Sequence, residues 1–141
     1  MRSGRSWWSS VETEELQRLV DGSPVHGALG LRVRPAKEGV LFDAAPGRQH
    51  STDGGEIVHG GVVATMLDTA ATFALVDATG ADWSTIDLRV DYLRPAPVAP
   101  LEVRGLPVQV GRRFGRAKAE LADPRSGRLL AAAVGTFVRN G

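Results

Sequence analysis

Between His59 and Ala78 runs the only long helical stretch of this sequence, and it has almost no polar side. Val62, Val63, Met66, Leu67, Ala70, Ala71, Phe73, Ala74, Leu75 and Val76 cover most of its circumference. A helix apolar nearly all round is a buried helix, so the rest of the chain has to wrap it. A wrapper that covers one side leaves the other for something else, and a second copy of the same helix is the simplest supply. Gly80 is the expected stop.

Around that helix the chain reads as strands. Leu29 to Val33 and Val40 to Ala45 flank a Lys37-Glu38-Gly39 turn. Ser84 to Leu93, Leu101 to Val110, Gly115 to Ala122 and Leu129 to Val138 follow. The clusters Pro95-Ala96-Pro97, Gly111-Arg112-Arg113 and Asp123 to Gly127 separate them. Short turns between consecutive strands predict antiparallel pairing, here a four-strand meander. The expected fold class is α+β, with one long helix packed on a curved antiparallel sheet. Upstream, Ser10 to Val20 reads as a short helix with Ser10 as N-cap and Leu16, Leu19 and Val20 on one face. Gly22-Ser23-Pro24 ends it. The expected division is an N-terminal tail and short helix over residues 1–24 and the folded domain over 25–141.

Composition narrows the function. At 141 residues the chain is one domain and buries only about two thirds of its unfolded surface, which favours self-association. Seventeen basic against sixteen acidic residues imply no surface of one sign for nucleic acid or an anionic membrane. Cys is absent, so a disulfide framework, a thiol nucleophile and Cys-ligated zinc are excluded. The start runs directly into polar sequence without a signal peptide's apolar stretch, and no apolar run reaches the roughly 20 residues of a membrane span; a cytoplasmic protein is expected. Trp7-Trp8 reads as a pair able to line an interface. His26, His50 and His59 match no His-x-x-x-His pattern, so neither a metal nor a cofactor is expected.

One residue does not fit its helix. Asp68 sits among apolar neighbours, where Asp is a poor helix former and an ionised carboxylate is costly to bury. Either it bonds a neighbouring turn, or it is a carboxylate held for chemistry. Thr72 lies four positions on, on the same face. At the start of the helix, His59-Gly60-Gly61 offers unpaired amides, a positive dipole end and no side chain to keep a substrate off the backbone. That is an acceptor site for a developing oxyanion. Gly60 and Asp68 are eight residues apart, about 12 Å along one helix. A base and its oxyanion donor both have to lie about 3 Å from the reacting atom. Two antiparallel copies related by a two-fold axis satisfy this where one copy does not, and give a dimer with two composite sites.

The stretch from Val58 to Ala70, His-Gly-Gly with Asp68 nine residues after His59, resembles the central motif of hotdog-fold acyl-CoA thioesterases. Within them it is similar to the group that holds 4-hydroxybenzoyl-CoA thioesterases of the Arthrobacter type and the phenylacetate-pathway thioesterases. Thr85 to Pro95 is similar to the family's next strand, and Gly111-Arg112-Arg113 to Ala119 and Gly135-Thr136-Phe137 to its last ones. The resemblance implies a homodimer or homotetramer that hydrolyses an acyl- or aryl-CoA, with coenzyme A as part of the substrate. It implies that the Gly60 amide polarises the thioester carbonyl. Asp68 of the partner subunit would attack the carbonyl or activate a water. Thr72 matches a hydroxyl one turn after the carboxylate, and Thr85 a Ser or Thr that holds the lytic water. The family usually has Asn or Gln six residues before the His; this chain has Asp53 there, with Glu56 where Gly is common. A second carboxylate sharing the acid–base work, or a loop register that brings Gln49 or His50 to the site, are the alternatives.

Arg112, Arg113 and Arg116 beside a Gly turn, and Arg94 at a strand end, are candidates for the phosphates of coenzyme A. Because 15 of the 17 basic residues are Arg, a solvated strand end is the competing reading. Two other functions fit the same motif: a hydratase or dehydratase of enoyl or hydroxyacyl thioesters, which needs a His paired with the acid, and a non-catalytic acyl-CoA-binding module.

Overall fold

The structure, a computed structural model, describes residues 11–141, so the expected Ser10 cap and the Trp7-Trp8 pair lie outside the described residues. The long apolar stretch forms α3 (Gly60–Thr79). His59 is its N-cap, and Gly80 ends it with φ 72°, a left-handed conformation that favours glycine. Six strands wrap one side of it: β1 (Arg32–Arg34), β2 (Val40–Ala44), β3 (Trp83–Tyr92), β4 (Leu101–Val110), β5 (Phe114–Asp123) and β6 (Arg128–Arg139). All pairings are antiparallel, in the order β1-β2-β4-β5-β6-β3.

Strand alternation sets the core. β5 buries Ala117, Ala119 and Leu121 against the helix and exposes Arg116, Lys118 and Glu120. Met66, Leu67, Ala70, Ala71, Ala74 and Leu75 pack from the helix side into one cluster with Phe42, Val103, Leu121 and Phe137. Contact is closest at Gly105 of β4, where an added Cβ would stand 2.0 Å from the Ala70 carbonyl oxygen. Helix and strand therefore meet backbone to backbone, and only glycine fits there. By length and mean hydropathy, 20 residues and 1.4, α3 also meets the measure of a membrane span, contrary to the expectation that no run does; most of it is enclosed by its own sheet.

Three further expectations are corrected. The last four strands are not a simple meander: β3 pairs with β6 and not with β4, and β4 pairs with β2. Residues 93–100 thus carry the chain from one edge of the sheet to its middle. Ala96 is buried and its carbonyl accepts from Val58 N–H at 2.9 Å, while Val98 N–H donates to Glu56 O at 3.0 Å, so the proline-containing segment runs against the loop before α3. The chain between Ser23 and Leu29 forms a second short helix, α2 (Pro24–Ala28), with Pro24 at its first position, and β1 starts only at Arg32. Third, α1 (Thr13–Asp21) begins after Glu12 and buries Leu16 and Val20, but Leu19 is 49% exposed.

The two edges of the sheet differ. On the outer side of β1, the Gln17 side chain of α1 accepts from Val33 N–H at 2.6 Å and donates to Leu31 O at 3.2 Å. That closes an edge which would otherwise pair with another chain. Among the described residues no strand lies beside the outer edge of β3, and Ile86 and Tyr92 on it are more than half exposed.

Replacing Gly105 by Ala is expected to lower folding stability by about 2 kcal/mol or more, because neither backbone can retreat from the added methyl. Urea denaturation measures this, and a midpoint equal to the wild type's would disprove the backbone contact.

Candidate functional site

The start of α3 is set by a single residue. His59 enters with φ −56° and ψ 136°, an extended conformation that leaves four amides to be satisfied. His59 N–H donates to His50 O at 2.8 Å. Gly61 N–H donates to the His59 ring Nδ1 at 2.9 Å, and Val62 N–H to the His59 carbonyl at 2.9 Å. Of the amides at this helix start, Gly60 N–H is the one without a partner among the described residues. It stands at the positive end of a 20-residue helix dipole, open to an anion or a polarised carbonyl. Tyr92 locks the same peptide from β3: its hydroxyl donates to Gly60 O at 2.8 Å, and its ring lies 3.5 Å from where a Gly60 Cβ would be. No local sequence signal marks Tyr92 as a site residue, because the contact bridges 32 positions.

Asp68 does not lie deep in an apolar rod; it is half-buried. Gly61, Thr65, Asp68 and Thr72 fall on the one stripe of α3 that the sheet leaves uncovered, at the i+3 and i+4 spacing of a helical face. The deeply buried acid is Asp77, 1% exposed. Nine residues separate the two, which at about 3.6 residues per turn puts them on opposite faces, Asp77 toward the sheet. The hydroxyl of Thr85 in β3 donates to Asp68 Oδ1 at 2.7 Å and fixes the carboxylate. Thr72 does not bond that carboxylate: its hydroxyl donates to the main-chain carbonyl of Asp68 at 2.8 Å. Thr65 and Thr69 make the same bond one turn back, so the carboxylate is the stripe's one side-chain group free of its own helix.

The other expected residues are spread out. Asp53 is exposed in the loop before α3; its Oδ1 accepts from Glu56 and Gly55 N–H, both at 3.3 Å. The Glu56 amide, with that of Gly55 behind it, holds the Asp53 carboxyl below the usual carboxylate range. Glu56 is exposed in the same loop. Gln49 is exposed, whereas His50 lines a small apolar pocket with Val62 and Thr65. Arg94 lines a groove of about 400 Å³ together with Gly60, Tyr92, Leu93 and Pro95. Arg112, Arg113 and Arg116 are not in that groove. They flank the β4–β5 turn, where Gly115 packs on Leu75 and Trp83 at the far end of α3. Arg113 lies 5.5 Å over the Phe114 ring. The three histidines are each tied to the backbone, His26 through Val20 O, His50 through Gly47 N–H and His59 through Gly61 N–H.

Within one copy, the open amide and the held carboxylate lie on one helix about 12 Å apart. An electrophile cannot touch both. By its chemistry an open amide can stabilise an oxyanion, and a held carboxylate can act as a base or nucleophile.

Comparison with known proteins gives the same direction. Residues 55–128 match the thioesterase superfamily. A Halobacterium salinarum protein, described provisionally as an esterase, is 34% identical over 116 residues, 77% of this chain and 76% of its own. Acyl-coenzyme A thioesterase 13 of Mus musculus is 27% identical over 101 residues, 70% of this chain and 71% of its own. Among solved structures, a Ralstonia eutropha protein, described provisionally as a phenylacetic acid degradation-related thioesterase, superposes with a TM-score of 0.75 at 28% identity over 87% of this chain and 98% of that one.

If His59 caps α3 through its ring, His59→Ala costs about 1 kcal/mol of stability and His59→Asn, whose side chain also accepts from the first turn, recovers most of it. Chemical denaturation of the two variants distinguishes the cap from mere side-chain bulk; equal losses would count against it.

Proposed function

We propose that this chain, which belongs to the thioesterase superfamily and is a thioester hydrolase with the hotdog fold, cleaves an acyl- or aryl-coenzyme A to the free acid and coenzyme A. The observation that carries the reading is the single open amide, Gly60 N–H, on the same helix as the held carboxylate of Asp68. In this reading two copies pack α3 antiparallel along the uncovered stripe, so the Gly60 end of one lies beside Asp68 of the partner subunit. The open outer edge of β3 and the closed edge of β1 support association on that side. A tetramer would pair two such dimers.

Gly60 N–H donates to the thioester carbonyl oxygen, and the helix dipole favours the negative charge that develops there. Asp68 then acts in one of two ways. As nucleophile, a carboxylate oxygen bonds to the carbonyl carbon, the C–S bond breaks, and coenzyme A leaves as thiolate; water hydrolyses the resulting anhydride. As base, Asp68 takes a proton from a water that attacks the same carbon, and the proton passes to the departing thiolate. A thiolate leaves readily, so neither route needs a metal or a strong acid. Thr85 holds the carboxylate in place for either. Asp53 is left out of the chemistry because its oxygen already holds loop amides. Arg94, in the groove that ends at Gly60, meets a phosphate of coenzyme A; Arg112, Arg113 and Arg116 bear on a site only through another subunit. The aryl substrates rest on the likeness to the Ralstonia eutropha phenylacetic acid degradation-related protein and on the resemblance of the His59-to-Asp68 motif to that of 4-hydroxybenzoyl-CoA thioesterases. The hydratase reading needs a histidine paired with the acid, and within one copy none of the hydrogen bonds to Asp68 comes from a histidine.

Release of free thiol from a panel of acyl-CoAs measures the activity. Asp68→Asn is expected to reduce kcat by about 100- to 10,000-fold, and full activity in that variant would remove its role. With Gly60→Ala, which keeps the N–H, as the control for bulk beside Tyr92, Gly60→Pro deletes the open N–H and leaves the backbone in place: proline suits the first helical position, and His59 already has the extended conformation that precedes it. It should fold normally and lose about 100- to 1,000-fold in kcat. A folded Gly60→Pro enzyme with undiminished turnover would place the oxyanion elsewhere.

A further inference from the structure

On the reading that a thioester carbonyl sits at the Gly60 amide, we infer that its acyl group enters a small apolar pocket between α2 and the first turns of α3, and that α2 sets the length it accepts. The pocket holds about 170 Å³ and is lined by Val25, Ala28 and Leu29 with His50, Val62 and Thr65. Gly60 and Val63 line the groove that contains Arg94, whereas Val62 and Thr65 line this pocket. At about 3.6 residues per turn the two hollows therefore flank opposite sides of the helix start. Gly60 and Gly61, which carry no side chains of their own, form the saddle between them. A Cβ would stand 3.5 Å from the Tyr92 ring at the first and 3.1 Å from the His59 ring at the second. A substrate laid over this saddle has its carbonyl at the open amide, coenzyme A on the arginine side and the acyl group on the α2 side. Thr65, in the pocket wall, is one turn before Asp68 on the uncovered stripe.

The pocket suits a compact apolar body. Thr65 gives its hydroxyl to Gly61 O at 2.9 Å, and His50 accepts Gly47 N–H on Nδ1 at 2.9 Å, which puts the ring proton on Nε2. An apolar cavity of about 150 Å³ takes a benzene molecule, so this one takes an acyl group of about six carbons, as a ring or a chain. A longer fatty chain meets the α2 wall. Val25 and Ala28 form the lip, and both are exposed, so substituting them opens no cavity in the core.

The test compares kcat/KM over straight-chain acyl-CoAs from acetyl to dodecanoyl, with a phenyl-bearing acyl-CoA beside them, in the wild type, Ala28→Phe and Val25→Ala. The wild type should peak near hexanoyl or the phenyl substrate. Ala28→Phe should cut the hexanoyl-to-acetyl ratio by about tenfold or more, the discrimination expected for one or two methylenes in an apolar pocket. Val25→Ala should move the optimum to longer chains. If the wild type turns over acyl-CoAs and neither variant changes the length profile, the pocket assignment falls and the hydrolase reading stands. If the wild type is inert on the whole series, both fall.

Discussion

A 20-residue helix this apolar persists in water only under cover, and the way the cover is applied decides everything else about the molecule. The sheet seats α3 so closely that β4 needs a glycine at its contact with Ala70. One face is thereby locked against Phe42, Val103, Leu121 and Phe137, and a second, polar stripe is left open. A rigidly held helix with a single open stripe is a platform on which a carboxylate can be positioned to within the tolerance that chemistry requires.

The same economy operates at the helix start. His59 uses its amide, its ring nitrogen and its carbonyl to anchor the chain, and two of those groups satisfy neighbouring first-turn amides. What remains is one donor, Gly60 N–H, with Tyr92 steadying its residue from the carbonyl side. An open donor at a helix N-terminus is an unfinished hydrogen bond with a fixed direction, which is the form an oxyanion site takes before its ligand arrives.

Strand β3 links these two features and also faces outward. Its Thr85 holds Asp68, its Tyr92 holds Gly60, and its far edge has no neighbour in the sheet among the described residues. The opposite edge of the sheet is closed by the amide side chain of Gln17. The element that orients both halves of the site is thus the one available to a second copy. In the proposed dimer, any shift of β3 on association would be felt at the carboxylate and the amide together.

Much of this was legible in the sequence because the signals are local. The limits of α3 follow from apolar periodicity and Gly80, and β4 to β6 follow from alternation between turn residues. His59, Gly60 and Asp68 declare themselves by type and spacing. The place of β3 was not legible: Pro95-Ala96-Pro97 reads as a turn, and whether such a segment closes a hairpin or crosses the sheet depends on partners far along the chain. Nor was the depth of the two acids. Asp68 and Asp77 are alike in sequence context, and only the choice of which helix face the sheet covers makes one half-exposed and the other buried. The sequence by itself determined that there is a wrapped apolar helix, where it starts, and which acid accompanies its glycines, since these are matters of neighbouring residues. The tertiary structure alone decided which side of that helix stays open and which hydroxyls reach it, because Thr85 and Tyr92 are brought to α3 by strand pairing over long stretches of chain, and no local pattern encodes that.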